Sequence, residues 1–548
     1  MATVREERTD FLVLGAGIAG MRAAVELARA GRVLVLSKGK LAETGTGWAH
    51  GGIAVAMGDD QEVRLHLHDT LLAGEGLCDE EAVRVLVREG PRQIKQLIDW
   101  GMRFERGTKL AFTREGVRSQ ARVLHAHGES TGGEILRALA AKARSLAAVK
   151  FRPHTFVTDL LMDGNRVVGV TCFDETRSAL KTIYADAVLI ATGGLGQVFK
   201  ETTNPSLATG DGVAMAYRAG AVLSDLEFVQ FHPTALYLKG APRLPLPEAL
   251  REQGAHLRNI ELERFMHRYH EDADRAPMNP LCRALMMEMQ RCRSDFVYLD
   301  LTELDAEYVK KRFHKAYAAC IKFNLDITED LVPVRPAVHY AVGGVAADLN
   351  GATTLAGLYV VGEAAANGVH GATRLADNSL LEGLVYGART AAAMVAQRSH
   401  PRPMPKPAAA RTPWHPTAAT TRRHGAAPRP AASVRSTKPS DSLRLGVEQL
   451  SDEVRSLMWE RVGIIRVAKE LGEVVQRLAW LSPAQPAAAS LAAWEGRNVL
   501  DVARLIARSA LAREESRGTH YRSDFPLKNE SQPALHSYVS KGAEVYFG

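Results

Sequence analysis

Phe11-Leu12-Val13-Leu14-Gly15-Ala16-Gly17-Ile18-Ala19-Gly20 decides the fold of this chain, because an apolar run enters a glycine turn and continues as Met21-Arg22-Ala23-Ala24-Val25-Glu26-Leu27-Ala28. The order is strand, tight turn, helix. Gly15 permits the turn, Gly17 lets a pyrophosphate reach the backbone, and Gly20 lets helix pack on strand, leaving the phosphates against a positive helix N-terminus. Gly15, Ala16, Gly17, Ile18, Ala19 and Gly20 thus read as a dinucleotide cradle. The next strand, Val33-Leu34-Val35-Leu36, ends at Ser37-Lys38, where such cradles usually place a carboxylate for the ribose. No acid stands there. Lys38 reads either as a phosphate partner, which keeps NADP open, or as a solvated lysine at a strand end.

A chain of 548 residues exceeds one compact core and implies two or three domains. Its content, 46% hydrophobic and 24% charged, is that of an ordinary globular protein. No apolar run approaches a membrane span, and Met1-Ala2-Thr3-Val4-Arg5-Glu6-Glu7-Arg8 is too polar for a signal peptide, so a cytoplasmic location is expected. Cys78, Cys172, Cys282, Cys292 and Cys320 form no CxxC pair, which points to reduced thiols and to neither a disulfide framework nor a metal site.

The net charge of +7 has a local origin: residues 401–440 hold eight Lys or Arg and no acid, so the remainder sits near −1. That segment is also rich in Pro and Ala. It lacks aromatic interleaving beyond Trp414 and any amphipathic repeat, and it reads as a flexible linker with no nucleic-acid or membrane partner.

After the opening unit comes Thr44-Gly45-Thr46-Gly47-Trp48-Ala49-His50-Gly51-Gly52-Ile53-Ala54, whose small residues suit a backbone lying against a flat ligand. Helical patterns cover residues 80–100 and 130–148, and alternating strands follow near 151–172. Ala187-Val188-Leu189-Ile190-Ala191-Thr192-Gly193-Gly194 looks like a second approach of sheet to cofactor, and a similar strand returns at Gly357-Leu358-Tyr359-Val360-Val361-Gly362-Glu363. The cofactor domain is therefore discontinuous, with a His- and Arg-rich insertion between its parts. After residue 440, Leu450, Val454, Leu457 and Met458 fall on one helical face. The expected architecture is an α/β protein. A discontinuous Rossmann-type FAD-binding domain (1–225 and 341–400) carries an inserted α+β capping domain (226–340), followed by the linker 401–440 and a helical C-terminal domain (441–548). FAD displaces NADP in this reading because Glu363 can hold ribose hydroxyls and the helix start at Asn378-Ser379-Leu380 can face the flavin's pyrimidine side.

Further segments carry a resemblance: Thr209-Gly210-Asp211-Gly212, Gln230-Phe231-His232-Pro233-Thr234, His339-Tyr340 with Gly343-Gly344, His370-Gly371-Ala372-Thr373-Arg374, Asn378-Ser379-Leu380-Leu381-Glu382, and Glu515-Ser516-Arg517-Gly518-Thr519-His520-Tyr521. In this order they resemble the flavoprotein family of fumarate reductase and succinate dehydrogenase, most closely its soluble aspartate-oxidising members. The resemblance implies that FAD is held by the Gly15–Gly20 turn, Lys38, Gly45, Thr46, Gly47, Trp48, Ala49, His50, Gly51, Gly52, Asp211, Glu363, Ser379 and Leu380. Membrane-complex members attach FAD through a histidine just before the threonine; here Gly45 precedes Thr46, which implies a non-covalent flavin.

The same resemblance implies that His232, His339 and Arg374 hold a dicarboxylate, that Glu115 meets a substrate ammonium, and that dioxygen or fumarate reoxidises the flavin. It implies oxidation of L-aspartate to iminosuccinate, with the product passing to quinolinate synthase in NAD synthesis. Two positions depart from the family. Its proton-transferring arginine in an Ala-Pro-Arg-Asp segment is Met278 here, and a threonine before Glu-Ala-Leu-Arg is Pro247. A thioether neither moves a proton nor binds a carboxylate. Arg275 is the candidate substitute, while Arg283 matches a different family arginine. These departures keep two alternatives open: a soluble fumarate reductase or other dicarboxylate or amino-acid oxidoreductase, and a catalytically degenerate FAD-binding protein.

Overall fold

The computed structural model describes residues 6–41, 43–49, 51–106, 110–113, 120–128, 130–399, 443–483 and 490–548. His50, Glu115 and the segment 401–440 lie outside the described residues.

The strand Glu6–Leu14 sits near the middle of a seven-stranded sheet, flanked in parallel by Val33–Leu36 and by Ala179–Ile190. Strand alternation sends Phe11, Val13, Val33 and Val35 to one face and Leu12, Leu14, Leu34 and Leu36 to the other, and each set joins a separate buried cluster. Both faces are covered, as a largely parallel sheet requires. The returning strand Leu358–Val360 pairs in parallel with the end of Ala179–Ile190, which closes the discontinuous domain around one sheet.

The helices Ile18–Leu27 and Asn378–Ser399 cross closely because glycines line their contact. A Cβ at Gly387 would stand 2.7 Å from the Ala19 carbonyl oxygen, and one at Gly383 would stand 2.6 Å from Ile18 Cγ2. Both helices start beside the glycine turn. Their N-termini are thereby brought to one cleft.

The insertion forms a four-stranded antiparallel sheet of Val229–Leu236, Val332–Ala341, Val297–Asp300 and His256–Arg258, with its own buried core around Leu250, Phe265, Leu285 and Phe313. The first two strands emerge from the base beneath the insertion and pair with each other, with register shifts after Gln230 and after His232.

The C-terminal region contains the helices Val447–Arg461, Ala468–Trp480 and Leu491–Ala512. It is not a separate body: Leu450, Val454, Leu500 and Ile506 share one buried cluster with Leu12 and Leu14 of the base. The strand Ser537–Val539 also pairs with Leu223–Ser224 of the base. Among the described residues no helix is long and apolar enough to cross a membrane, and no group of His, Cys, Asp and Glu could hold a metal. All five cysteines are free; burial raises the thiols of Cys78 and Cys320 to about 12.

Candidate active site

One cleft runs from the glycine turn to the insertion. At its first end the walls are backbone. Gly15 has φ +117°, and a Cβ there would meet the Ala191 carbonyl oxygen at 2.0 Å. Gly17 begins the helix Ile18–Leu27 with no side-chain cap, so amides of the first turn point outward, although Ile18 N–H donates to Thr46 Oγ1 at 3.0 Å. Gly15, Ala16, Gly17, Ile18, Ala19, Gly45, Thr46, Trp48, Ala49, Gly51 and Gly52 line the cleft. Gly20 faces the strand instead: its Cβ would meet the Gly15 carbonyl oxygen at 2.2 Å. Gly47 is also off the wall, donating from its backbone to Thr44 Oγ1.

Lys38 is neither a solvated lysine nor open to a phosphate. Its ammonium is buried and donates to Asp211 at 3.0 Å and Thr209 at 2.7 Å, with Glu495 of the C-terminal helix 2.5 Å away. Burial alone would lower its pKa, but the two carboxylates raise it above the ordinary lysine value. Asp211 Oδ1 accepts in turn from Asn498, and Phe156 on the same wall stacks on Trp494 at 5.8 Å. The C-terminal helix therefore buttresses this side of the cleft.

The residues fit FAD. Glu363 lines the cleft opposite Gly194, whose Cβ would stand 2.2 Å from the Glu363 carboxylate, and accepts from Ala341 N–H at 3.0 Å. Loss of water raises its pKa to about 7, so hydroxyl donors such as those of ribose would stabilise its ionised form. Ser379 and Leu380 open the helix Asn378–Ser399 into the cleft, and Asn378 is fixed beneath them by His66 and Thr70. At Gly45 the space for a Cβ is open, and no side chain there could bond a flavin.

At the second end the walls are side chains. His232 and His339 come from the paired strands of the insertion, their ring centroids 5.5 Å apart. His339 Nδ1 hydrogen-bonds Thr203 Oγ1 at 2.9 Å, and its carbonyl accepts from Asn204 at 2.7 Å. Arg374 is buried and held on three sides. Its Nε donates to Gln230 Oε1 at 3.0 Å, its Nη1 reaches Ser379 Oγ at 3.4 Å, and its guanidinium lies 4.7 Å from the Tyr340 ring centre. Gln230 also donates back to the Arg374 carbonyl.

Pro247 and Glu248 reach this end because Leu246 N–H bonds the Thr234 carbonyl, laying the segment beside the His232 strand. Met278 starts the helix Met278–Arg291 and lines the same wall; the next residue, Asn279, donates to Thr373 Oγ1 and ties that helix start to the Arg374 loop. Arg275 is exposed and does not line the cleft. Arg283 packs over Tyr521 at 4.9 Å, outside the cleft. Sequence reasoning gave no role to Thr203, Glu248, Tyr340 and Arg312, which line the cleft, or to Gln230, which braces Arg374. Gln230, Glu248 and Tyr340 carried a signal, each lying in or beside a segment that the resemblance already picked out.

The class follows from these two ends and from comparison. Residues 10–380 match the family described as FAD binding domain, and residues 451–546 match that described as Fumarate reductase flavoprotein C-term. A quinol fumarate reductase structure from E. coli superposes with a TM-score of 0.85 at 25% identity, covering 99% of this chain and 97% of the other. Sdh1 of Mycobacterium smegmatis, solved in complex with UQ1, gives 0.82 at 29% identity over 99% and 94%. An L-aspartate oxidase of Streptomyces coelicolor is 40% identical, covering 97% of this chain and 91% of the relative. L-aspartate oxidase 1 of Ralstonia nicotianae is 39% identical over 94% and 95%. The chain belongs to the L-aspartate oxidase family of FAD-dependent flavoproteins.

Proposed function

We propose that the chain oxidises L-aspartate to iminosuccinate on a non-covalently held FAD. The observation that carries this is the convergence of His232, His339 and the braced Arg374 at the end of the cleft that Ser379 and Leu380 also line. Bound FAD supplies the two-electron acceptor for the hydride leaving the substrate Cα.

The chain's own part is to bind and orient. Arg374 presents a planar fork to a carboxylate, and its orientation is set before substrate arrives by Gln230, Ser379 and Tyr340. The Thr203 contact fixes the His339 ring, which with His232 offers hydrogen bonds to a carboxylate. Glu248, and Glu115 by family resemblance, supply carboxylates for the substrate ammonium and for the proton it must release. Dioxygen or fumarate is the proposed final acceptor. Iminosuccinate is the proposed supply for a quinolinate synthase.

Anaerobic addition of L-aspartate to the flavin-loaded protein is expected to bleach the flavin absorbance, and an unchanged spectrum would overturn the reading. Met278 and Pro247 on the substrate wall favour a second reading, an oxidoreductase for a different dicarboxylate or amino acid. Bleaching by another amino acid but not aspartate, or reoxidation by fumarate alone, would select it.

A further inference from the structure

The stretch Glu515-Ser516-Arg517-Gly518-Thr519-His520-Tyr521 carries family resemblance but lines no part of the cleft. It packs instead against the loop that ends at Arg374. Thr519 N–H donates to the Ala372 carbonyl at 3.1 Å and its Oγ1 does so at 3.3 Å, while Ala372 N–H donates to the Gly74 carbonyl at 3.0 Å. Arg517 closes the ring, its Nη1 donating at 2.6 Å to the carbonyl of Glu75, the neighbour of Gly74. Ala372, fully buried two residues before Arg374, is therefore gripped from both sides.

The same stretch reaches the strand that braces Arg374. Arg517 makes two bonds to the Glu515 carboxylate, at 3.0 and 2.9 Å, Glu515 accepts from Arg513 at 2.9 Å, and Arg513 donates to Glu227 at 2.6 Å. Glu227 is fully buried two residues before Val229–Leu236, the strand of Gln230 and His232. Buried charges paired in this way cannot shift singly without leaving a partner uncompensated, so the network holds the loop and the foot of the strand in one register. Ala372 also shares a small buried cluster with Tyr340, whose ring faces the Arg374 guanidinium. The fit at Gly518 has no slack: its φ is +55°, and a Cβ there would stand 2.2 Å from the Ala372 carbonyl oxygen and 2.6 Å from its carbon. Both are backbone atoms, so an added carbon must move the Arg374 loop or unseat the C-terminal stretch.

We propose that residues 515–521 are the positioning element for Arg374, with Arg517 and Thr519 setting the place from which its guanidinium meets a substrate carboxylate. The inference rests on the dicarboxylate reading above, but its test does not need turnover. Succinate is titrated into the flavin-loaded full chain and its binding read from perturbation of the flavin spectrum. Gly518→Ala is expected to weaken succinate by about tenfold with flavin content unchanged, and the KM for L-aspartate to rise in proportion. Gly542→Ala carries the same kind of backbone strain, at φ +78°, with open space around its Cβ. Its succinate affinity is expected to stay within about twofold of the parent.

Arg517→Lys guards against a Gly518 variant that does not fold. It keeps a charge beside Glu515, loses the fork that also reaches Glu75, and is expected to weaken succinate by about three- to tenfold. Dependence on Arg374 is read in the Arg374→Lys background, where Gly518→Ala is expected to add less than about twofold. Succinate affinity within about twofold of the parent in a flavin-retaining Gly518→Ala or Arg517→Lys protein overturns the proposal. Equal weakening in Gly542→Ala, the full loss repeated in the Arg374→Lys background, or flavin lost in step with succinate overturns it as well. A flavin that succinate perturbs but L-aspartate does not bleach defeats the oxidase reading and leaves the positioning role standing, while a parent that does not respond to succinate defeats both.

Discussion

At the Gly15 end of the cleft the walls are largely backbone, and a Cβ at Gly15 or Gly20 would stand 2.0 or 2.2 Å from a carbonyl oxygen. At the His232 end the walls are side chains, and Met278 and Pro247 stand among them on a helix start and an irregular segment. Backbone packed as closely as at Gly15 admits no added carbon, while a wall of side chains can exchange one group and keep its frame. The consequence is that cofactor binding and substrate handling should fail separately.

The largest effect is expected from Gly15→Val, which combines φ +117° with a 2.0 Å collision at Ala191. A cost above about 4 kcal/mol is expected, and purified protein should carry no flavin by absorbance. Arg374→Ala should retain flavin yet lose about 2–5 kcal/mol of clamp, roughly 30- to 5,000-fold in kcat/KM for L-aspartate. If it lost flavin as well, the two ends would not be separable. Gln230→Ala removes a brace and no substrate contact of its own; a loss of about 1–2 kcal/mol, roughly 5- to 30-fold in kcat/KM, is expected from steady-state kinetics.

Glu363 gives a pH test of the cofactor end. Its pKa of about 7 in the flavin-free protein means that below that pH a proton must leave before ribose hydroxyls can donate. FAD affinity should therefore rise with pH up to about 7, by at most about tenfold per unit, and level off above it. Glu363→Gln should flatten the profile in flavin titrations. The sign for folding is opposite: with the folded value raised from 4.5, this group favours the flavin-free fold most below 4.5, and that contribution is lost as pH rises to about 7. The smallest effect is expected at exposed Arg275, where Arg275→Ala should leave kcat/KM within about twofold.

The glycine turn, the discontinuous sheet and Glu363 were legible in the sequence because each is forced locally, by an apolar run ending at a residue that only one backbone geometry suits. His232, His339 and Arg374 were legible through family resemblance, since a lone histidine on a strand carries no mark of the partner it will face. Lys38 was ambiguous for the same reason: its anions, Asp211 and Glu495, are far away along the chain, and nothing near Lys38 announces them. Arg312 was silent because its place depends on a helix break at Phe313 and on the docking of the insertion against Gly128. The C-terminal helices were read as helices, but their union with the base depends on pairings such as Trp494 with Phe156, which no local pattern encodes.

That union sets an order of events during synthesis. The glycine turn is synthesised well before the helix Leu491–Ala512, which brings Glu495 to Lys38 and Asn498 to Asp211. A nascent chain stopped before Leu491 would hold Lys38 by Asp211 without Glu495, and Asp211 would lack its Asn498 donor. One wall of the cleft is thus completed only when two segments far apart in the order of synthesis have met.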